Sequence, residues 1–301
     1  MKLAFGVTAV AVTLVACHAA PAPPPAARPQ LVFGLALPWG PAVGIERARV
    51  ATAYLAKALD ADVVPKLFSY EELARALDDG KVDIAFIPPF GYVKAAAGGR
   101  LTLVRRATHE GLPDYRAVLF TRRDSAIKSL DDLKGKDVAW VREGSASGNL
   151  FPRAWLLQHH LQPATFFAHE QFLGSHNDVC RAVYTGEAWA GASFTDARTD
   201  FDHAKVDGCE PALGDKVSDL KIVFATDPIP NDVIAVSAKL SPALTAKLAH
   251  ALDQLPGSED GRRVLRDGFA SEGFVAVSDA DFNVVRQALA VLEPPAKDGG
   301  R

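Results

Sequence analysis

Between an apolar segment that ends at Val141 and a helix-forming stretch that reaches Leu161 lies the run Gly144-Ser145-Ala146-Ser147-Gly148. Small residues let an anion approach the backbone, and hydroxyls add donors. At a helix start the first N–H groups have no intrahelical acceptor, and the macrodipole favours negative charge. Ser145, Ala146, Ser147 and Gly148 can therefore cradle an oxyanion. A serine N-cap on an ordinary loop gives the same pattern. The run is not a nucleophile elbow, because Ala146 holds the position of the nucleophile. It is not a P-loop, because no Gly-Lys-Ser/Thr follows.

Gly174-Ser175-His176 opens the next helical stretch. His176 there can donate to an anion, or it can simply cap the helix. It shares a helix face with Cys180, but one His and one Cys do not make a metal site. His159 and His160 are adjacent and point to different faces. Two acids stand at strand ends, Asp196 after residues 188–194 and Asp232 within Ile229-Pro230-Asn231-Asp232. They can accept from a ligand, or serve turn chemistry. Tyr70 and Tyr115 can line a pocket, or pack half-buried. No metal cluster or cofactor fingerprint is present, so neither a cofactor nor an enzyme is expected.

The elements that must position these residues follow from hydrophobic period and punctuation. Strands are expected at 31–37, 63–68, 82–87, 115–122, 138–141, 166–169, 188–194, 220–225 and 233–237. Helices are expected at 45–59, 90–97, 129–133, 178–184, 262–269 and 281–292, and from the Ser241-Pro242 cap to Leu255. Ser69 and Glu72 form a capping box for a helix that runs to Leu77. Residues 200–216, with Cys209, are polar and read as a surface excursion. Strands alternating with helices predict parallel-rich α/β sheets with helices on both faces. The units are too many for one sheet. Two lobes are expected, 31–122 and 123–225, with 226–293 returning to the first and hinges near Arg122 and residues 225–230.

The chain has 301 residues, 49% hydrophobic and 23% charged, with a formal net charge of -3. That balance gives no electrostatic footprint for nucleic acid. Lys2 precedes an apolar run, residues 3–16, too short for a stable span, which reads as a signal peptide over 1–17. Leu14-Val15-Ala16-Cys17 resembles a bacterial lipobox and implies lipid on Cys17. Residues 18–30, rich in Ala and Pro, form a stiff tether, and 294–301 a disordered tail. Cys180 and Cys209 can pair in an exported protein, or remain two buried thiols.

Taken together, the chain resembles the phosphonate/phosphite/phosphate-binding proteins of ABC importers. The resemblance rests on Val82-Asp83-Ile84-Ala85-Phe86, the Ser-x-Ser-Gly loop and Gly174-Ser175-His176 about thirty residues later. It continues through Gly186-Glu187-Ala188-Trp189-Ala190-Gly191 and Ile229-Pro230-Asn231-Asp232. It implies a two-lobed type II periplasmic-binding fold with the ligand between the lobes. It further implies an oxyanion held by Ser145, Ser147 and the backbone of Gly148, with His176 opposite and Tyr70 and Tyr115 at the mouth. Asp196 and Asp232 would receive an amino or protonated group of the ligand. Partners are then a small phosphorus oxyanion, an importer permease and, through lipid, the membrane; a monomer is expected. A sensor of the same fold, or a binder of another small organic anion, fits the same residues. Departures are Ala146 where relatives often carry a hydroxyl, Asp196 for a longer glutamate, Trp189 where Asp is common, and an inserted look around Cys209.

Overall fold

The computed structural model describes residues 28–36, 41–198 and 204–293. The signal sequence, Cys17, most of the tether and residues 294–301 lie outside the described residues.

The first lobe opens with β1 (Gln30–Ala36), α1 (Pro41–Leu59), β2 (Asp62–Phe68), α2 (Tyr70–Asp78), β3 (Ile84–Ile87), α3 (Pro89–Ala96) and β4 (Leu101–Thr108). The Ser69–Glu72 capping box forms as the sequence predicts. The second lobe holds β5 (Asp114–Arg122), β6 (Val138–Trp140), α4 (Phe151–Gln158), α5 (Pro163–Phe166), β7 (Glu170–Phe172), α6 (His176–Thr185), β8 (Ala190–Asp196), α7 (Glu210–Leu213), β9 (Leu220–Ala225) and β10 (Ile229–Pro230). The chain then returns through β11 (Val233–Ser237), α8 (Pro242–Gln254), α9 (Glu259–Val264), β12 (Gly273–Val275) and α10 (Asn283–Leu292).

One sheet has the order β12-β4-β11-β3-β1-β2; the other runs β10-β5-β8-β6-β7, with β9 also on β5. β1, β2 and β3 are parallel, as are β6, β7 and β8. β11 is antiparallel to both β3 and β4, and β5 is antiparallel to β8, β9 and β10. The sheets are therefore mixed rather than parallel-rich, because the returning and crossing strands run against the βαβ units.

Four expectations need correction. The strand at 114–122 belongs to the second sheet, so the first crossing lies at His109–Pro113 rather than near Arg122. A run such as Ala117–Phe120 suits either sheet, and only its partners on β8 decide. β4 was not anticipated, because Arg105 and Arg106 interrupt its apolar pattern; they pair instead with Asp253 and Asp114. The strand expected at 166–169 is displaced to 170–172, following a helical turn that Pro163 starts. The stretch read as a surface excursion buries Val206, Gly208 and Cys209 against α6 and β8, and Cys209 is bonded to Cys180.

Apolar side chains fill both faces of both sheets. Phe33, Phe86, Phe269 and Phe274 meet edge to face under the first sheet. Phe33, Phe86 and Phe269 are buried, and each such large side chain contributes about 1.5–3 kcal/mol. One core cluster is shared by the lobes. Phe151 of α4 packs on Phe90 of α3, with ring centroids 4.9 Å apart, and α4 also lies against α10.

Candidate functional site

A cleft of about 430 Å³ opens between the lobes. The ends of β1 and β3 supply its first wall, and the ends of β6 and β8 the opposite one. The C-terminal edges of parallel strands, where loops and helix starts converge, are the usual place for a ligand in such sheets.

The small-residue loop is held rigidly. Ser145 caps the turn by accepting the Gly148 N–H at 3.1 Å, and Val141 N–H donates to Gly148 O at 3.0 Å. Asn149 donates to Glu143 O at 2.8 Å and accepts from Arg153 at 3.1 Å. The first turn, Ala146–Leu150, is wide and leads directly into α4. The N–H groups of Ala146 and Ser147 have no backbone acceptor among the described residues. Ser147 Oγ likewise has no protein partner there, and the residue lines the cleft. Gly148 corrects the expectation placed on it. Its N–H is used by Ser145, it does not line the cleft, and a Cβ there would collide with Val141. Its task is close packing, which brings the turn down onto the end of β6.

His176 starts α6, capped by Ser175. Its Nδ1 lies 2.9 Å from Ser193 Oγ. Ser193 is fully buried and has no other partner among the described residues, so its hydroxyl proton goes to Nδ1. That assignment leaves Nε2 as the N–H donor of the ring. Burial, reinforced by Arg142, pushes the imidazole down to about 4. At neutral pH His176 is thus a neutral donor, able to serve an anion without a formal charge. The Phe194 ring stands between His176 and Tyr115, edge-on to both at 5.1 and 6.4 Å. Tyr115 lines the cleft from the start of β5.

The two expected acids differ. Asp196 reaches the cleft, but its carboxylate accepts from its own loop at Arg198 N (2.7 Å) and pairs with the Arg198 guanidinium (3.0 Å). Arg198 also bonds Glu110 on the crossing loop at 2.7 Å. The carboxylate of Asp232 has no donor or cation among the described residues. Burial alone raises it to about 6. Tyr70 begins α2 beside β2, at the edge of the first sheet, and its side chain lies outside the described residues. Trp189 sits at the end of β8 opposite the cleft, exposed and under Lys136.

A model of the periplasmic substrate-binding proteins of ABC phosphonate transporters matches residues 36–282. The chain belongs to that family. The phosphate-import protein PhnD of Mycolicibacterium smegmatis is 29% identical, over 74% of this chain and 73% of its own. The fold is that of a binding protein component of an ABC phosphonate transporter from Pseudomonas aeruginosa (TM-score 0.69, 20% identity, 87% of this chain and 85% of that one). It is equally that of PhnD1 from Prochlorococcus marinus in complex with methylphosphonate (TM-score 0.70, 18% identity, 87% and 98%). These relatives are substrate-binding transport proteins and not enzymes.

In this phosphonate-transporter binding protein the fold gathers Tyr115, Ser145, Ala146, Ser147, His176, Asp196 and Asp232 around one cleft. Sequence reasoning missed Arg47, Arg142, Phe194 and Asp207, which line it too. Asp207 had a signal: it stands two residues before Cys209, whose bond to Cys180 brings it beside α6. Arg47, on α1, had none, since a helix arginine reads as solvated.

Proposed function

We propose that the protein captures a small phosphorus oxyanion, a phosphonate, phosphite or phosphate, and presents it to the permease of an ABC importer. The observation that carries this reading is the donor set. The N–H groups of Ala146 and Ser147, which have no backbone acceptor among the described residues, the Ser147 hydroxyl and the neutral His176 N–H all border one cleft. A buried anion is costly unless several donors meet it. Phosphate is named for the mycobacterial relative and methylphosphonate for the marine one, in keeping with that chemistry. Asp232 adds a condition. A bare carboxylate repels a fully ionised phosphate, so it suits a ligand offering an ammonium or a P–OH. Calorimetric titration of the mature protein with phosphate, phosphite, methylphosphonate and 2-aminoethylphosphonate tests this. Saturable binding of at least one, without turnover, is expected; a folded protein that binds none of the four rules the reading out.

The exported protein is further proposed to be held at the membrane by lipid on Cys17. No helix among the described residues is long and apolar enough to cross a membrane. Wild-type protein should partition with membranes, and Cys17→Ala should release it or block maturation. Wild-type protein recovered soluble and without lipid removes the anchor from the account.

A further inference from the structure

The segment that follows residue 203 behaves as a strap across the end of β8. Thr195 Oγ1 donates to Lys205 O at 2.7 Å and lies 3.3 Å from Asp207 Oδ2, which accepts the Asp196 N–H at 2.8 Å. All these bonds to Asp207 use Oδ2, and its other oxygen has no partner among the described residues. Asp207 lines the cleft. The next residue, Gly208, lies so close to Ser193 Oγ and the Phe194 ring that a Cβ cannot be placed there. Ser193 is the hydroxyl that sets the tautomer of His176, and Phe194 is the ring that backs it. Cys209 then closes the strap covalently onto Cys180, one helical turn beyond His176 in α6.

Two independent facts therefore meet. The acid expected to face the ligand from this lobe, Asp196, is occupied by Arg198. A second acid, with a free oxygen, is delivered into the cleft by a segment bonded to the helix that carries His176. We propose that Asp207 is the second-lobe acceptor for the proton-bearing side of the ligand, and that Cys180 and Cys209 are a positioning pair for it. This rests on the phosphorus-oxyanion reading above. A carboxylate and an oxyanion can face each other only around a shared proton or an ammonium. Asp207 thus selects among phosphorus ligands by what they can donate.

The test is a thermodynamic cycle read by calorimetry at neutral pH. Its ligands are 2-aminoethylphosphonate, methylphosphonate and inorganic phosphate. Asp207→Asn keeps an acceptor for the Asp196 N–H but makes the free position able to donate. A hydrogen bond to a charged group sets the scale, so the best-bound donor-bearing ligand should lose about tenfold to a hundredfold in affinity. Asp196→Asn should change affinity by less than about threefold. The bridge-less variant Cys180→Ala/Cys209→Ala should reproduce part of the Asp207→Asn loss. The combined triple variant should be no worse than the weaker of its parents, because both changes remove one interaction. Loss of a merely stabilising bridge would lower the melting temperature and leave affinity and ligand order unchanged, which overturns the positioning role. If the bridge-less chain does not fold, Gly208→Ala replaces it in the cycle, since its methyl must displace the strap while keeping the disulfide. The proposal is overturned if Asp207→Asn binds as wild type, if strap and Asp207 losses add, or if Asp196→Asn carries the larger loss. A wild-type protein that binds no phosphorus ligand at all overturns the proposed function instead.

Discussion

Asp232 and His176 hold opposite proton preferences within one cleft. Asp232 rises from an ordinary 3.8 to about 6, and His176 falls from 6.5 to about 4, each chiefly through burial. The folded state therefore favours a protonated acid and a neutral imidazole. For Asp232, the contribution to stability is fully present below about pH 4 and lost as pH rises through about 6. For His176 it is present above about pH 6.5 and lost as pH falls through about 4. Between pH 4 and 6 the two trends cancel, because folded and unfolded chains each hold one proton on this pair. Substitution should separate them. Relative to wild type, Asp232→Asn should gain stability as pH rises from 4 to 6, reaching about 2–3 kcal/mol. His176→Gln should gain, relative to wild type, as pH falls from 6.5 to 4. Urea melts of the ligand-free protein at half-unit pH steps measure both, and differences that stay flat across that range disprove the opposed shifts. That Ser147 and His176 border the cleft was legible in the sequence because small hydroxyl residues and helix starts leave a local mark. That the carboxylate of Asp196 is committed could not, because Arg198 claims it through a turn geometry that no residue type dictates.

At the scale of elements, the turn from β6 into α4 depends on one missing side chain. Gly148 lies against Val141 where no Cβ fits, and that contact seats Ala146 and Ser147 at the cleft. Gly148→Ala should cost about 1–3 kcal/mol of stability, in the range of overpacked cores. Folded variant should also lose affinity for every phosphorus ligand alike, since the whole turn is displaced. Denaturant melts and titrations read the two effects, and unchanged affinity would mean that the turn does not position the donors. The capping box at Ser69 and the Ser241-Pro242 start were legible because caps are local chemistry. β4 was not, since Arg105 pairs with Asp253 and Arg106 with Asp114 and Asp281, acids that lie outside its own run. The stretch around Cys209 misled for a related reason. Its polar composition is real, but a covalent bond to Cys180 and the burial of Val206 and Gly208 draw it inward.

For the whole molecule, two crossings, at residues 109–113 and 231–232, join lobes that also share a core along one side. Closure around ligand should therefore be a hinge about that side, with the Phe90–Phe151 contact kept. Small-angle scattering should show a smaller radius of gyration at saturation with whichever phosphorus ligand binds. A profile unchanged by saturating ligand would point to a cleft already closed. The two-lobed α/β architecture was readable from the alternation of strands and helices. The exact crossing was not, because lobe membership of β5 is decided by its neighbours. The place of β11 also governs the order in which the molecule can assemble. β11 lies between β3 and β4, so the first sheet has a gap until Val233–Ser237 exists. By then every strand of the second sheet has already been made. A chain emerging from its N-terminus thus has its second lobe whole while its first lobe still lacks a central strand. Contacts of such long sequence separation form slowly, so the first lobe stays incompletely folded until most of the chain has emerged.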